Sequence, residues 1–130
     1  DCPVSFPFDA QAGLVIVRAE ALGPSGSIVL RLALDTGATS TMISVGPLAA
    51  IGYDPSLVAD RVQVTTGSGV EFVPRLAVSR LTALGQERRN FPILSHTLPP
   101  SAGIDGLLGL DLLRGQKLNM DFRQGHLSLS

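Results

Sequence analysis

An all-β domain with one or two short helices is the fold class this sequence predicts. Apolar and polar residues alternate with a period of two in short runs, most cleanly in Arg61-Val62-Gln63-Val64-Thr65. That is the pattern of a strand with one face buried. The 14 glycines and 9 prolines among 130 residues punctuate the chain with turns. Several of these turns sit between two strand-like runs, as at Gly23-Pro24-Ser25-Gly26 and Gly67-Ser68-Gly69.

The elements follow in order. Residues 13–20 are β-rich and alternate toward their end, so they are expected as a strand. The turn at 23–26 leads to a second strand at 27–34, and the hairpin delivers Asp35. Residues 40–45 are expected as another strand. Gly46-Pro47 can open a short helix, because proline is tolerated in a first helical turn, and Gly52 is placed to close it. Residues 61–66 and 70–79 form a hairpin over the 67–69 tip, with Pro74 marking an edge or a bulge. A short strand at 90–95 and a loop at 97–103 come next. Residues 110–114 make a helical turn stopped by Gly115. A last hairpin joins 117–122 to 126–129 across Arg123-Gln124-Gly125. There is one domain, 13–130, preceded by an extension at 1–12.

Composition narrows the function. With 10 basic and 11 acidic residues the net charge is -1, Lys117 is the sole lysine, and no basic run exists. Nucleic acid is therefore not an expected partner. Cys2 is the only cysteine, so no intrachain disulfide forms and no Cys/His zinc spacing exists. No metal or cofactor is implied. A reducing compartment is favoured slightly. No apolar run reaches membrane-spanning length and no signal peptide is visible. The chain begins at Asp1 and not Met, which leaves room for an upstream segment or anchor. A cytoplasmic location is expected, or a periplasmic or membrane-tethered one if such an anchor exists. Hydrophobic residues make up 45% and charged residues 16%. That is apolar for a small domain, and a partner subunit would cover part of the excess.

Asp35-Thr36-Gly37 occurs once. Alone, the tripeptide reads as an aspartate in a β-turn, bonded to its own backbone. Its flanks are apolar on both sides, Leu32 and Leu34 before, Met42 and Ile43 after. They place Asp35 at the end of a buried strand, where a lone charge must be paired or hydrogen-bonded. Carboxylates in such places are candidates for chemistry.

The segment LALDTGATSTMI (32–43) resembles the active-site segment of retropepsin-like aspartic proteases, and GIDGLLGLDLL (103–113) is similar to that family's second motif. VQVTTGSGVEFV (62–73) lies where the family carries its flap, and KLNMDF (117–122) is similar to the strand after its helix. Order and spacing match over residues 13–129. The resemblance implies a closed barrel with a flap hairpin, and an endopeptidase in which two aspartates activate a water. Two-domain members carry two such motifs in one chain. Here Asp105-Gly106 lacks the intervening hydroxyl residue, so the dyad implied is Asp35 from each of two chains in an obligate symmetric homodimer.

By the same resemblance, Thr36 would bond across the dimer axis and the Gly37 N–H would face the dyad. Ala38 would lie against the backbone of a peptide bound as an extended strand. Thr65, Thr66, Gly67, Ser68, Gly69 and Val70 would form the flap. Leu107 and Leu108 would pack beneath the active-site loop, with Gly109 allowing close approach. The flap tip is less apolar than in viral members, and Arg61 and Glu71 beside it bear on substrate preference. The chain also continues past the family's minimal end. These features lean toward a cellular, bacterial member.

Other residues have plainer expectations. His96 and His126 read as surface or loop histidines, Ser68 as a hairpin tip, and Arg88-Arg89 as a solvated turn. Asp105 is expected in a turn, Asp111 as a cap of the short helix, and Cys2 as incidental. Two alternatives stand beside the protease. One is a catalytically silent dimerisation or peptide-binding module on the same fold. The other is a small-ligand or lipid β-barrel.

Overall fold

Alternating strands close on themselves and bury their apolar faces. The computed structural model describes residues 4–67, 69–99 and 102–130. Strands β2 (Ile16–Gly23) and β3 (Gly26–Leu34) form the first hairpin, with Gly23 opposite Gly26. Val17, Ala19 and Ala21 on β2 and Leu30 and Leu32 on β3 are buried, while Arg18, Glu20 and Arg31 between them are exposed. Strand β3 runs parallel to β8 (Gly106–Leu108), which lies antiparallel to β4 (Met42–Ile43). Strand β4 is parallel to β7 (Gln86–Ser95), and β7 is antiparallel to β6 (Gly69–Ala83). Residues Arg80–Ala83 of β6 return to β2, so six strands close into a barrel.

Strand β5 (Arg61–Thr66) pairs only with Gly69–Pro74 of β6 and stands outside that ring. Pro74, expected at an edge or bulge, sits where β6 exchanges one neighbour for the other: Pro74 faces Arg61, and the β7 ladder begins at Arg75. A residue without an N–H is tolerated at such a junction. The hairpin base is held by Arg75, whose backbone N–H bonds the Asp60 carbonyl at 2.9 Å and whose Nε pairs with the Asp60 carboxylate at 2.8 Å.

A second sheet has the order β1-β10-β9, from Ser5–Pro7, His126–Leu129 and Leu118–Asp121. Within the 1–12 extension, β1 therefore pairs with the end of the chain. Phe8 is buried beyond it and meets Phe122 edge-on at 5.3 Å. Two short α-helices complete the fold, α1 (Val45–Ala50) and α2 (Leu110–Leu113). The core joins Leu30, Leu32, Ile43, Leu48, Leu81, Ile93, Leu108 and Leu112, all nearly inaccessible to water. Each contributes about 1.5–3 kcal/mol by burial.

The architecture is the all-β one expected, with differences in extent. The strand expected at 13–20 is β2 and starts at Ile16, three residues late, although the Val15 carbonyl already accepts the Leu34 N–H. Residues 40–45 yield only a two-residue strand, because Val45 is drawn into α1. The largest correction is at Arg88-Arg89, which lie inside β7 and not in a turn. The turn is Leu84-Gly85, both at positive φ (51° and 75°), joining β6 directly to β7. Two positive-φ residues suit the twist of a tight hairpin, and burial of Leu84 at 4% exposure holds a residue there that local preference would not choose.

Candidate active site

Asp35 stands where the β3–β8 ladder ends. Leu34 faces Leu108 in register, and the Asp35 N–H donates to the Leu108 carbonyl at 2.9 Å. The chain then turns sharply: the Ala38 N–H donates to the Asp35 carbonyl at 3.1 Å, and the Gly37 N–H donates to Asp35 Oδ1 at 2.8 Å. A Cβ on Gly37 would come within 3.1 Å of that same oxygen. Asp35 is half-buried, Thr36 and Gly37 are exposed and Ala38 is half-buried. The second carboxylate oxygen has no hydrogen-bond partner among the described residues. The turn aspartate and the apolar approach are thus both present, and the carboxylate emerges from a buried strand into the open.

The second segment holds this loop by close backbone contact. The Leu110 N–H donates to the Ala38 carbonyl at 2.8 Å. A Cβ on Gly109 would lie 2.7 Å from the Ser40 carbonyl carbon and 2.8 Å from the Ala38 oxygen, and one on Gly106 would collide with the Met42 carbonyl. Glycine is required at both positions by proximity. Leu108 is fully buried beneath Asp35, and Leu107 is half-buried opposite Ala33 and Met42.

Sequence reasoning missed Thr41. It is fully buried, its hydroxyl donates to Asp111 Oδ1 at 2.7 Å, and Thr41 Oγ1 accepts the Gly109 N–H at 3.1 Å. The Thr41 N–H donates to Asp111 Oδ2 at 2.8 Å. The only local signal was a hydroxyl residue next to the apolar Met42-Ile43 pair. Asp111 also accepts the Leu112 N–H at 2.9 Å from within the first turn of α2, so it is a clamp between two segments more than the expected cap; the cap position itself is Gly109. Asp105, expected only in a turn, accepts the Arg31 N–H on its carboxylate at 2.8 Å and ties the β8 approach to β3.

Beside the loop lies an open groove of about 400 Å³ lined by Gly37, Ala38, Thr39, Ser40, Met42, Leu94 and β5 residues Val62–Thr65. The β5–β6 hairpin forms its outer wall. Thr65 and Val70 face each other in register near its end, both exposed, as do Thr66 and Gly69. Gly67 is exposed at the tip. Ser68 lies outside the described residues, as does the side chain of Thr66. His96 Nδ1 is 3.9 Å from Glu71 Oε2. His126 is exposed between Ser5 Oγ at 3.2 Å and Asp121 Oδ2 at 3.7 Å. The Gln124 N–H holds the Asp121 carboxyl below its usual range; partial desolvation opposes it, and the Arg123 N–H and His126 add to the lowering. Among the described residues no group of three or more His, Cys, Asp or Glu side chains is placed to hold a metal. None of their helices is long and apolar enough to cross a membrane.

A family model described as aspartyl protease matches residues 24–112, a span that holds the Asp35 loop, the β5–β6 hairpin and the Leu107–Gly109 segment. A comparison with curated sequences returns no match. Among solved structures, the fold is similar to that of a retropepsin-like aspartic protease from Rickettsia conorii. The TM-score is 0.72 at 18% identity, over 98% of this chain and 89% of that one.

Proposed function

The chain belongs to the aspartyl protease family, and from that premise we propose that it is an aspartic endopeptidase whose dyad is built from Asp35 of two subunits. The observation that carries the reading is the state of the acids around the site. Asp35 opens the turn whose next residues, Gly37 to Ser40, line the groove, whereas Asp105 is tied to the Arg31 N–H beside β3 and Asp111 is filled by Thr41 and Leu112. With Asp35-Thr36-Gly37 present once in the chain, the second carboxylate of this reading is Asp35 of another copy.

In such a dyad, like charges held side by side do not both ionise, so the pair keeps one proton. The ionised carboxylate takes a proton from a water, whose oxygen bonds to the peptide carbonyl carbon. The protonated carboxyl gives its proton to the carbonyl oxygen. The adduct then collapses: the C–N bond breaks, the leaving nitrogen takes the proton first removed from water, and one hydroxyl of the adduct returns its proton to the other carboxylate as the C=O bond re-forms, which restores the singly protonated pair. Gly37 holds the carboxylate through its N–H, Thr36 bonds its counterpart across the two-fold axis, and Ala38 borders the substrate backbone. The hairpin end, Thr65 to Val70, closes over an extended peptide as a flap. Leu107, Leu108 and Gly109 support the loop from below.

Asp35→Asn should abolish cleavage of a peptide library while sedimentation still reports a dimer. A dimer that cleaves nothing from about pH 3 to 7, or an Asn variant as active as the parent, ends this reading. A silent dimerisation or peptide-binding module is the second reading. It is favoured by the Asp35–Gly37 bond, which an ordinary turn aspartate also makes.

A further inference from the structure

Glu71 is a charged residue of the β5–β6 hairpin whose cross-strand partner, Val64, lines the groove. It faces Val64 in register and so shares a side of the hairpin with Val62 and Val64, which line the groove, and with the buried Val73. Leu94 of β7 also lines the groove, and His96 follows two residues later, just beyond the end of that strand. Glu71 and His96 approach each other beside this groove, whose lining joins Met42, Val62, Val64 and Leu94 to polar residues such as Ser40 and Gln63. Their contact is loose: 3.9 Å is beyond hydrogen-bond distance, and the side chains are 49% and 29% exposed. The Glu71 carboxylate has no closer partner among the described residues. An acid left with spare acceptor capacity fits a cationic side chain whose apolar stem can lie along Val62 and Val64 on the same side of the hairpin.

We propose that Glu71 is a specificity residue that selects substrates carrying an arginine or lysine beside the apolar residue seated against Met42, Val64 and Leu94. This rests on the peptide-cleaving reading of the same groove. The preference is carried by binding, because Glu71 lies away from the Asp35 loop that performs the bond chemistry. Glutamate or aspartate at the same substrate position is disfavoured by the same carboxylate. His96 moderates the effect as the group that Glu71 releases when a guanidinium or ammonium arrives.

The test uses the full chain and three fluorescent peptide sets that differ at one position, holding arginine, glutamine or glutamate. Cleavage is followed with the parent and Glu71→Gln, and binding by anisotropy with Asp35→Asn and with the double variant. The arginine set should be favoured over the glutamine set by about fivefold in kcat/KM, mostly through KM, as for a part-exposed ion pair. Glu71→Gln should remove that advantage and leave the glutamine set unchanged. A parent without the preference, or a Glu71→Gln variant that retains it, overturns the proposal even where cleavage depends on Asp35. Absence of cleavage with a Glu71-dependent preference in binding overturns the protease reading and keeps the specificity site. Absence of both cleavage and binding overturns both.

Discussion

Thr41→Val swaps a hydroxyl for a methyl of similar size at an enclosed polar position of the site, and its effect can be worked from the geometry. Thr41 is 0% exposed, and its hydroxyl makes two bonds, to Asp111 Oδ1 at 2.7 Å and from the Gly109 N–H at 3.1 Å. The first goes to a carboxylate and is worth about 1.5–3 kcal/mol. Loss of the second strands a buried N–H, at a cost of about 1–3 kcal/mol. Valine needs no hydroxyl desolvation, which returns part of this, so a net loss of about 2–4 kcal/mol is expected. Unfolding entropy of about 2.1 cal/mol/K per residue, taken over 130 residues, converts this to a fall in Tm of about 7–15 °C. Thr41→Ser keeps both bonds and loses one methyl, at about 1 kcal/mol or about 4 °C. Melting is followed by circular dichroism at one fixed protein concentration, since the Tm of a protein that self-associates depends on concentration. Were valine to lower Tm no more than serine does, the clamp would have no energetic content and this reasoning would be wrong.

Further outcomes follow from the same contacts. Gly109→Ala brings a Cβ within 2.7 Å of the Ser40 carbonyl carbon. The loop must shift, and cleavage measured well below Tm should fall by about tenfold or more. Asp111→Asn offers one acceptor end where the carboxylate serves Thr41 N–H, Thr41 Oγ1 and Leu112 N–H. One N–H then meets an NH₂, and urea denaturation should show a loss of about 1–3 kcal/mol with m unchanged. The carboxyl of Asp121 is held below its ordinary value, chiefly by the Gln124 N–H. Its contribution to stability is therefore present above the unfolded pKa and is lost as pH falls through the lower folded value. Asp121→Asn should lower Tm at neutral pH and flatten the acid limb of a Tm-against-pH curve, the variant and the parent converging at low pH; an unchanged acid limb counts against that account.

What could be read from the chain is what neighbouring residues decide. The Asp35 bond to Gly37 spans two residues, and the helix stops at Gly52 and Gly115 rest on local positive φ of 99° and 79°. These were legible. The Leu84-Gly85 turn was not, because a buried leucine at positive φ is held by the core and not by its own preference. Arg88 and Arg89 looked like a turn because charge usually marks solvent, yet a strand's outer face is also solvent. There Glu87 pairs with Arg80 at 3.8 Å and Arg89 at 3.5 Å. The Thr41–Asp111 clamp joins residues 70 apart, and β1 meets β10 from opposite ends of the chain. Nothing within either segment announces such a partner.

The clamp also bears on why a single-copy site needs so rigid a support. If the dyad is made of two Asp35 residues related by symmetry, a displacement of the loop occurs in both subunits at once. An error of about 0.5 Å in one loop then becomes as much as about 1 Å between the two carboxylates, enough to weaken catalysis greatly. A two-domain enzyme can correct one loop independently of the other; a symmetric dimer cannot. The Asp35 loop is fixed accordingly at several points: Asp35 N–H to Leu108, Leu110 N–H to Ala38, and the buried Thr41 between Gly109 and Asp111. Placing a charged carboxylate behind the loop as a clamp is costly in a small domain unless its acceptors are filled. Asp111 meets that condition with three donors. The stiffness of this half-site is thus what would allow an identical partner to complete it.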